Sequence, residues 1–247
     1  MNYKLEGVMP YKINERKGVQ IEKMFDGIAL QYDSMNTVLS LGMNMWWRKK
    51  ALKKLRKYKI DNLLDIGTGT GDFAIQASSI LKPRKIIGVD ISKRMMDVGR
   101  EKVEKAGLEK VISFDHQDCS TMTFPNESFD ATVVSFGVRN FEDIDSCFKQ
   151  ILRVLKPGGV FMFLELTTPR YQPVKFFYNL YSKTIVPSIV RLLSRDKSAY
   201  GYLPESIKAF PQGEEMKGIL KKNGFETVDS CKLTLGVCTI YIAVKAT

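Results

Sequence analysis

Apolar and polar positions between residues 60 and 166 alternate between two periods. Short apolar runs that fit strands lie near 62–66, 86–90, 110–114, 130–136 and 159–166. Between them, near 72–82, 92–106 and 143–156, apolar residues recur at helical spacing. Such alternation predicts a doubly wound α/β sheet. Lys156-Pro157-Gly158-Gly159 reads as the turn that ends the third of these helices. After Phe210 the pattern gives a helix from Gly213 to Lys222, a stop at Asn223-Gly224, and two strands, Glu226 to Leu233 and Val237 to Val244. The short link at Gly236 makes these a hairpin, which places an antiparallel strand at one sheet edge.

Two segments stand outside this alternation. Residues 1–60 predict a helical segment covering the sheet, and 167–211 an insertion after the fifth strand. Ligands of open α/β sheets bind at the carboxyl ends of the strands, so that insertion would form an acceptor cap over the site. The reading is one domain over 1–247, with its core in 61–166 and 212–247.

The most informative motif is Asp65-Ile66-Gly67-Thr68-Gly69-Thr70-Gly71-Asp72. It joins a strand to a helix, and its glycines let the backbone approach a ligand closely. The spacing is G-x-G-x-G, not the G-x-G-x-x-G of dinucleotide loops. A diphosphate at the helix N-terminus would also meet Asp65 and Asp72. A ligand carrying an amino group and a sulfonium would be attracted instead, which points to S-adenosylmethionine. Ile86-Ile87-Gly88-Val89-Asp90 adds a strand-terminal acid about 20 residues after the glycines, the spacing at which a carboxylate takes ribose hydroxyls. Seven strands with a terminal hairpin match the Rossmann-like architecture of S-adenosylmethionine-dependent methyltransferases.

The net charge of +11 favours an anionic partner, nucleic acid or a membrane surface. Arg48, Lys49, Lys50, Lys53, Lys54, Arg56, Lys57 and Lys59 fall in a stretch without acids, in which Trp47, Ala51, Leu52, Leu55 and Tyr58 recur at helical spacing. This is an amphipathic basic helix, either a solvated face or a contact with anionic lipid. Val174 to Leu193 is rich in large apolar residues, which suits a lipid-facing cap, core packing or a homodimer face. Cys119, Cys147, Cys231 and Cys238 form no metal-binding pattern and read as reduced, cytosolic thiols. The polar N-terminus predicts no signal peptide, and no apolar run reaches the length of a membrane span. The expected place is the cytoplasm, peripheral to the inner face of the cell membrane. No amino-methylating Asn-Pro-Pro-Tyr motif or paired-cysteine cytosine-methylating site is present, which argues against nucleic acid as substrate.

Four blocks, the Asp65 to Asp72 loop among them, are similar to the membrane-associated quinone C-methyltransferases of menaquinone and ubiquinone synthesis. The other three are Met24-Phe25-Asp26 through Tyr32-Asp33-Ser34-Met35-Asn36 with Leu39-Ser40 and Trp47-Arg48; Ser135-Phe136-Gly137-Val138-Arg139-Asn140 followed by Arg153 to Gly159 and Leu164-Glu165; and Tyr202 to Ile207 with Phe210-Pro211. Asn44 stands where that family usually has His, Thr167 where it has Ser, and Asp118-Cys119 where it has Asn-Ala. The resemblance implies methylation of a polyprenylated quinol, demethylmenaquinol on overall likeness, with the benzoquinol of ubiquinone synthesis as the alternative. Carried across by position, Thr70 would meet the methionine moiety and Asp90 the ribose. Asp118 and the Cys119 amide would read the adenine, with Ser135 near the sulfur. For the chemistry, Arg139 is the expected handler of the phenolate, with Asn140, Tyr32, Asp33, Tyr200 and Tyr202 behind it. Tyr32 and Asp33 could equally pin a covering helix. His116, the one histidine, falls on the adenine side.

Overall fold

The computed structural model describes residues 3–11, 13–193 and 197–247, with backbone alone at 192, 193 and 197–200. Strands β1 (Asn62–Ile66), β2 (Lys85–Asp90), β3 (Ile112–His116), β4 (Phe129–Ser135), β5 (Leu155–Leu166), β6 (Phe225–Leu233) and β7 (Cys238–Lys245) form one sheet in the order β3-β2-β1-β4-β5-β7-β6. The neighbours among β1 to β5 are parallel; β7 runs antiparallel between β5 and β6. The hairpin is therefore at the edge as expected, with β7 inside it and β6 outermost. Strand order reverses between β1 and β4, and that switch point is where ligands of such sheets sit.

Alternate residues of each strand feed two cores. Leu64, Val134, Phe161 and Phe163 pack under α6 (Ile144–Val154) and α10 (Glu214–Lys222). Leu63, Val133, Met162 and Leu164 pack under α3 (Met43–Leu55) and α4 (Asp72–Leu81). Helix α6 shows why the sequence folds this way: Ile144, Cys147, Phe148, Ile151 and Val154 line one face. The Asp143 side chain caps its first turn, accepting from the Ser146 amide at 2.9 Å. Across the sheet, α5 (Lys93–Lys105) is capped in the same way by Ser92.

The Lys156-Pro157-Gly158-Gly159 segment differs from expectation. It is not a free turn but an irregular start to β5, whose pairing passes from Phe129–Leu155 to Ala131–Val160. Leu155 already pairs with β4, so the helix ends at Val154 and the extra residues bulge within the strand.

Helices α1 (Lys17–Ile28), α2 (Tyr32–Leu39) and α3 precede the sheet, and α7 (Val174–Leu180), α8 (Val186–Leu193) and α9 (Lys197–Ala209) follow β5. The two groups touch. Ile21 and Met24 of α1 pack with Tyr202 of α9, and the Tyr181 hydroxyl donates to the Leu39 carbonyl at 3.1 Å.

Candidate active site

The glycine loop crosses the carboxyl ends of β1 and β2. Gly69 takes a left-handed conformation (φ +55°) and aims its amide at Asp90 Oδ2, 2.8 Å away. Gly71 is left-handed at the entry to α4, and a side chain there would begin 2.9 Å from the Phe114 ring. A cavity of about 430 Å³ opens over this loop. Gly67, Gly69, Asp90, Asp118, Cys119 and Ser135 line it, as does Asn140. Arg16 and Glu142 also line it and meet at 3.0 Å, so the chain before α1 reaches across its rim.

The other residues of the motif stand behind the wall. Asp65 is buried with Oδ2 accepting from the Thr68 hydroxyl and Oδ1 unpartnered, and burial pushes its carboxyl up to about 7. Thr70 donates its hydroxyl to Asp33 at 2.7 Å. Asp33 and Asp72 both pair with Lys102, which ties α2, α4 and α5 together. Among the described residues, then, Asp65, Thr70, Gly71 and Asp33 shape the site from outside both of its cavities. His116 is exposed, its Nε2 2.9 Å from the Ile91 carbonyl.

A second cavity, about 350 Å³, lies between α2, α3 and the segment after β5. Arg48, Arg139 and Asn44 line it together with Trp47, Phe177, Tyr178 and Tyr181. Two residues, Tyr32 and Phe136, belong to both walls. Phe136 holds φ +60°, which for a bulky residue costs on the order of 1–3 kcal/mol. It is held there from both ends: its amide donates to Leu164 and its carbonyl accepts from Arg139 Nη1. Burial raises the Tyr32 hydroxyl's pKa, against the pull of Arg139 and then Arg48.

Arg139 is tied down more firmly than its sequence suggested. Its Nη1 pairs with Glu165 Oε2 at 2.9 Å and its backbone amide with Oε1 at 3.2 Å, in a pair almost fully removed from solvent. Its carbonyl accepts from Lys17 Nζ at 3.4 Å and from the Tyr202 hydroxyl at 3.3 Å. Burial brings the Lys17 ammonium down to about 8. Asn140, grouped with Arg139 in the sequence, faces the first cavity instead, with Oδ1 buried and unpartnered. The Tyr200 side chain lies outside those described.

Two residues escaped the sequence reading. Glu165 gave no signal beyond its place in a family block. Arg48 reads as part of the basic face but is buried, 3.0 Å from Ser135 Oγ and 2.9 Å from Asp72 Oδ2. Helical arithmetic would have found it, because Asn44, Arg48, Ala51, Leu52 and Leu55 share one buried face of α3.

The first cavity suits S-adenosylmethionine. It has the size of a cofactor site, and both Asp90 oxygens keep a lone pair free after bonding the Gly69 and Ser92 amides. The orphaned Asn140 oxygen adds an acceptor for a donor or cation. Fold and cavity together define an S-adenosylmethionine-dependent methyltransferase. Residues 11–245 match the ubiE/COQ5 methyltransferase family, and the chain belongs to it. It is 49% identical to a demethylmenaquinone methyltransferase of Bacteroides fragilis, over 99% of this chain and 100% of that one. A demethylmenaquinone methyltransferase of Porphyromonas gingivalis is 40% identical over 97% and 98% of the two chains. Among solved structures, a Thermotoga maritima S-adenosylmethionine-dependent methyltransferase superposes with a TM-score of 0.63 at 19% identity, over 91% of this chain and 99% of that one. That likeness speaks for the fold alone.

Proposed function

We propose that this enzyme methylates a ring carbon of a polyprenylated hydroquinone, demethylmenaquinol in the first place. The observation that carries the reading is the pair of cavities meeting at Tyr32 and Phe136. One is polar and suits the methyl donor. The other has two buried arginines and a long apolar remainder, as an ionisable ring with a hydrocarbon tail requires.

A quinone ring is electron-poor, so the acceptor must be the reduced form. Loss of a phenolic proton, with a pKa near the tyrosine value of about 10, puts charge on the adjacent ring carbon. When bound, S-adenosylmethionine supplies an electrophilic methyl group on a sulfonium. The chain's own residues hold the two partners in line and exclude water. Asp90 would hold the ribose, Asp118 and the Cys119 amide the adenine, and Ser135 and Asn140 the methionine end. Arg139 and Tyr32 would face the ring oxygens. The ring carbon takes the methyl group as the methyl–sulfur bond breaks; it then gives up its proton and the ring oxygen regains one, which restores the hydroquinone with one proton released overall. His116 lines neither cavity, so Tyr32 or water held between the arginines is the proton's route.

Labelled S-adenosylmethionine should transfer its methyl group to a short-tailed demethylnaphthoquinol kept under dithionite, and not to the same quinone kept oxidised. Equal rates on both forms would remove the phenolate mechanism. A benzoquinol and bulk RNA run in parallel decide between the menaquinone reading and its competitors.

The same reading places the enzyme against a membrane. No described helix is long and apolar enough to cross one. The second cavity's wall nevertheless includes Leu41 (73% exposed) and Phe177 (63%), and Phe176 (59%) packs edge-on against Phe177, their ring centres 5.6 Å apart. Next to this cavity α3 exposes Trp46, Lys49, Lys50, Lys53 and Lys54, with Lys50 Nζ 5.4 Å from the Trp46 ring. Apolar wedge and basic flank suit an anionic bilayer better than a second copy of the chain. Changing these four lysines to glutamine should weaken binding to phosphatidylglycerol vesicles by ~10²-fold, at about 1 kcal/mol per lysine near the surface as an upper limit. Binding to phosphatidylcholine vesicles should barely change. Equal retention of mutant and parent on both would leave the patch without a lipid role.

A further inference from the structure

We propose that Arg48 holds, as the phenolate, the hydroquinone oxygen next to the carbon that receives the methyl group. This rests on the reading of the second cavity as the hydroquinone site. A 1,4-hydroquinone has two ring oxygens, and two buried arginines line this cavity. Only one of those oxygens lies beside the reacting carbon, and that carbon must face the methyl donor across Tyr32 and Phe136. The cation for this oxygen must therefore stand at the junction of the cavities.

Arg48 does so. Its Nε donates to Ser135 Oγ, part of the first cavity's wall, while its guanidinium lies 5.9 Å from the centre of the shared Phe136 ring. Its Nη1 is anchored on Asp72, outside both cavities, and Nη2 has no hydrogen-bond partner among the described residues. One turn earlier on the same helix face, Asn44 also lines the second cavity, its Nδ2 likewise without a described partner. Arg139 also keeps a free donor, its buried Nε having no described partner, but its Nη1 is spent on Glu165 and the Phe136 carbonyl, and it bonds no residue peculiar to the first cavity. That position fits the oxygen on the far side of the ring. Asp72 keeps Lys102 as a partner when Arg48 is changed, so the substitution does not strand a carboxylate.

The probe is 4-methoxy-1-naphthol, which cannot be oxidised to the quinone without losing its methyl ether and whose ionisation is read by absorbance. With S-adenosylhomocysteine present, the naphthol bound to the parent enzyme should ionise at least one pH unit below its value in water, as an opposite charge at close range dictates. R48K keeps the charge and should keep most of this shift. R48Q keeps a donor to Ser135 but no charge, and should return the ionisation upward by about one unit or more. The pH dependence of methylation of the natural-type quinol should move alkaline by the same amount. R48Q with the parent's bound ionisation overturns the proposal. So does a naphthol that ionises no more readily on the parent enzyme than in water, whatever the variants do. If the parent enzyme fails to methylate the quinol at all, it is the substrate reading that falls.

Discussion

Replacing Arg139 by methionine should cost this enzyme both thermal stability and turnover, and the two losses can be pulled apart. The change leaves Glu165 fully buried, with its two oxygens facing only the Arg139 and Leu166 amides. Removing one partner of a buried ion pair costs about 3–5 kcal/mol. For a chain of this size that is a fall in melting temperature of roughly 6–20 °C. Burial already raises the Glu165 carboxyl's pKa, and Arg139 is what chiefly opposes it. Without that cation the folded state binds the Glu165 proton more tightly still than the unfolded chain does. The single variant should therefore come closest to the parent in acid, and lose stability as the pH rises through the folded pKa.

Adding Glu165→Gln removes the stranded charge and keeps an acceptor for the Arg139-position amide, so the double variant should regain most of the melting temperature. If Arg139 also stabilises charge on the ring, turnover should stay down by ~10²–10³, as for loss of one preorganised donor. A double variant that recovers single-turnover rate along with stability would reduce Arg139 to a pin for the loop after β4.

The reach of the sequence divides along physical lines. Strand and helix positions were legible because each core is fed by a simple period. Leu63 and Leu64 point to opposite cores, and the buried face of α6 repeats every third or fourth residue. The donor cavity was legible for a related reason: Gly67, Gly69 and Asp90 sit at strand ends, where the topology forces them together. What could not be read was which polar residues face the cavity and which face each other. Thr70 follows Gly69 in the loop, yet its hydroxyl is spent on Asp33, 37 residues away, and neither residue lines either cavity. Pairings such as Arg139 with Glu165, 26 residues apart, depend on β4 and β5 lying side by side with matched register. No local pattern encodes that match. Arg48 is the intermediate case. Charge assigned it to the surface, and only its position on the helical wheel marks it as buried.

Asp90→Ala should weaken S-adenosylmethionine binding by ~10²-fold or more. Asp90 ends β2 in the wall of the donor cavity. Its Oδ2 takes the Gly69 amide and its Oδ1 the Ser92 amide, each at 2.8 Å, and each oxygen retains one lone pair. Two ribose hydroxyls donating to a charged acceptor contribute about 1.5–3 kcal/mol apiece. Even the lower figure, about 3 kcal/mol for the two, is about a hundredfold in affinity. Alanine also releases the Gly69 amide, so the left-handed glycine turn loses the anchor that sets its distance from the ligand. Asp90→Asn separates these effects, since its one carbonyl oxygen can keep the loop amide while its NH₂ cannot accept from a hydroxyl. The asparagine NH₂ faces the Ser92 amide and cannot accept from it, so this variant should lose some melting temperature, though less than alanine, which strands both amides, and should still bind weakly. Burial raises the Asp90 carboxyl's pKa, against the pull of the Ser92 and Gly69 amides. Binding to the parent should accordingly weaken as the pH falls through that ionisation, and neither variant should show the dependence. Calorimetry of all three proteins across acid to neutral pH reads every one of these outcomes. A folded alanine variant with the parent's affinity would take Asp90 out of the cofactor site.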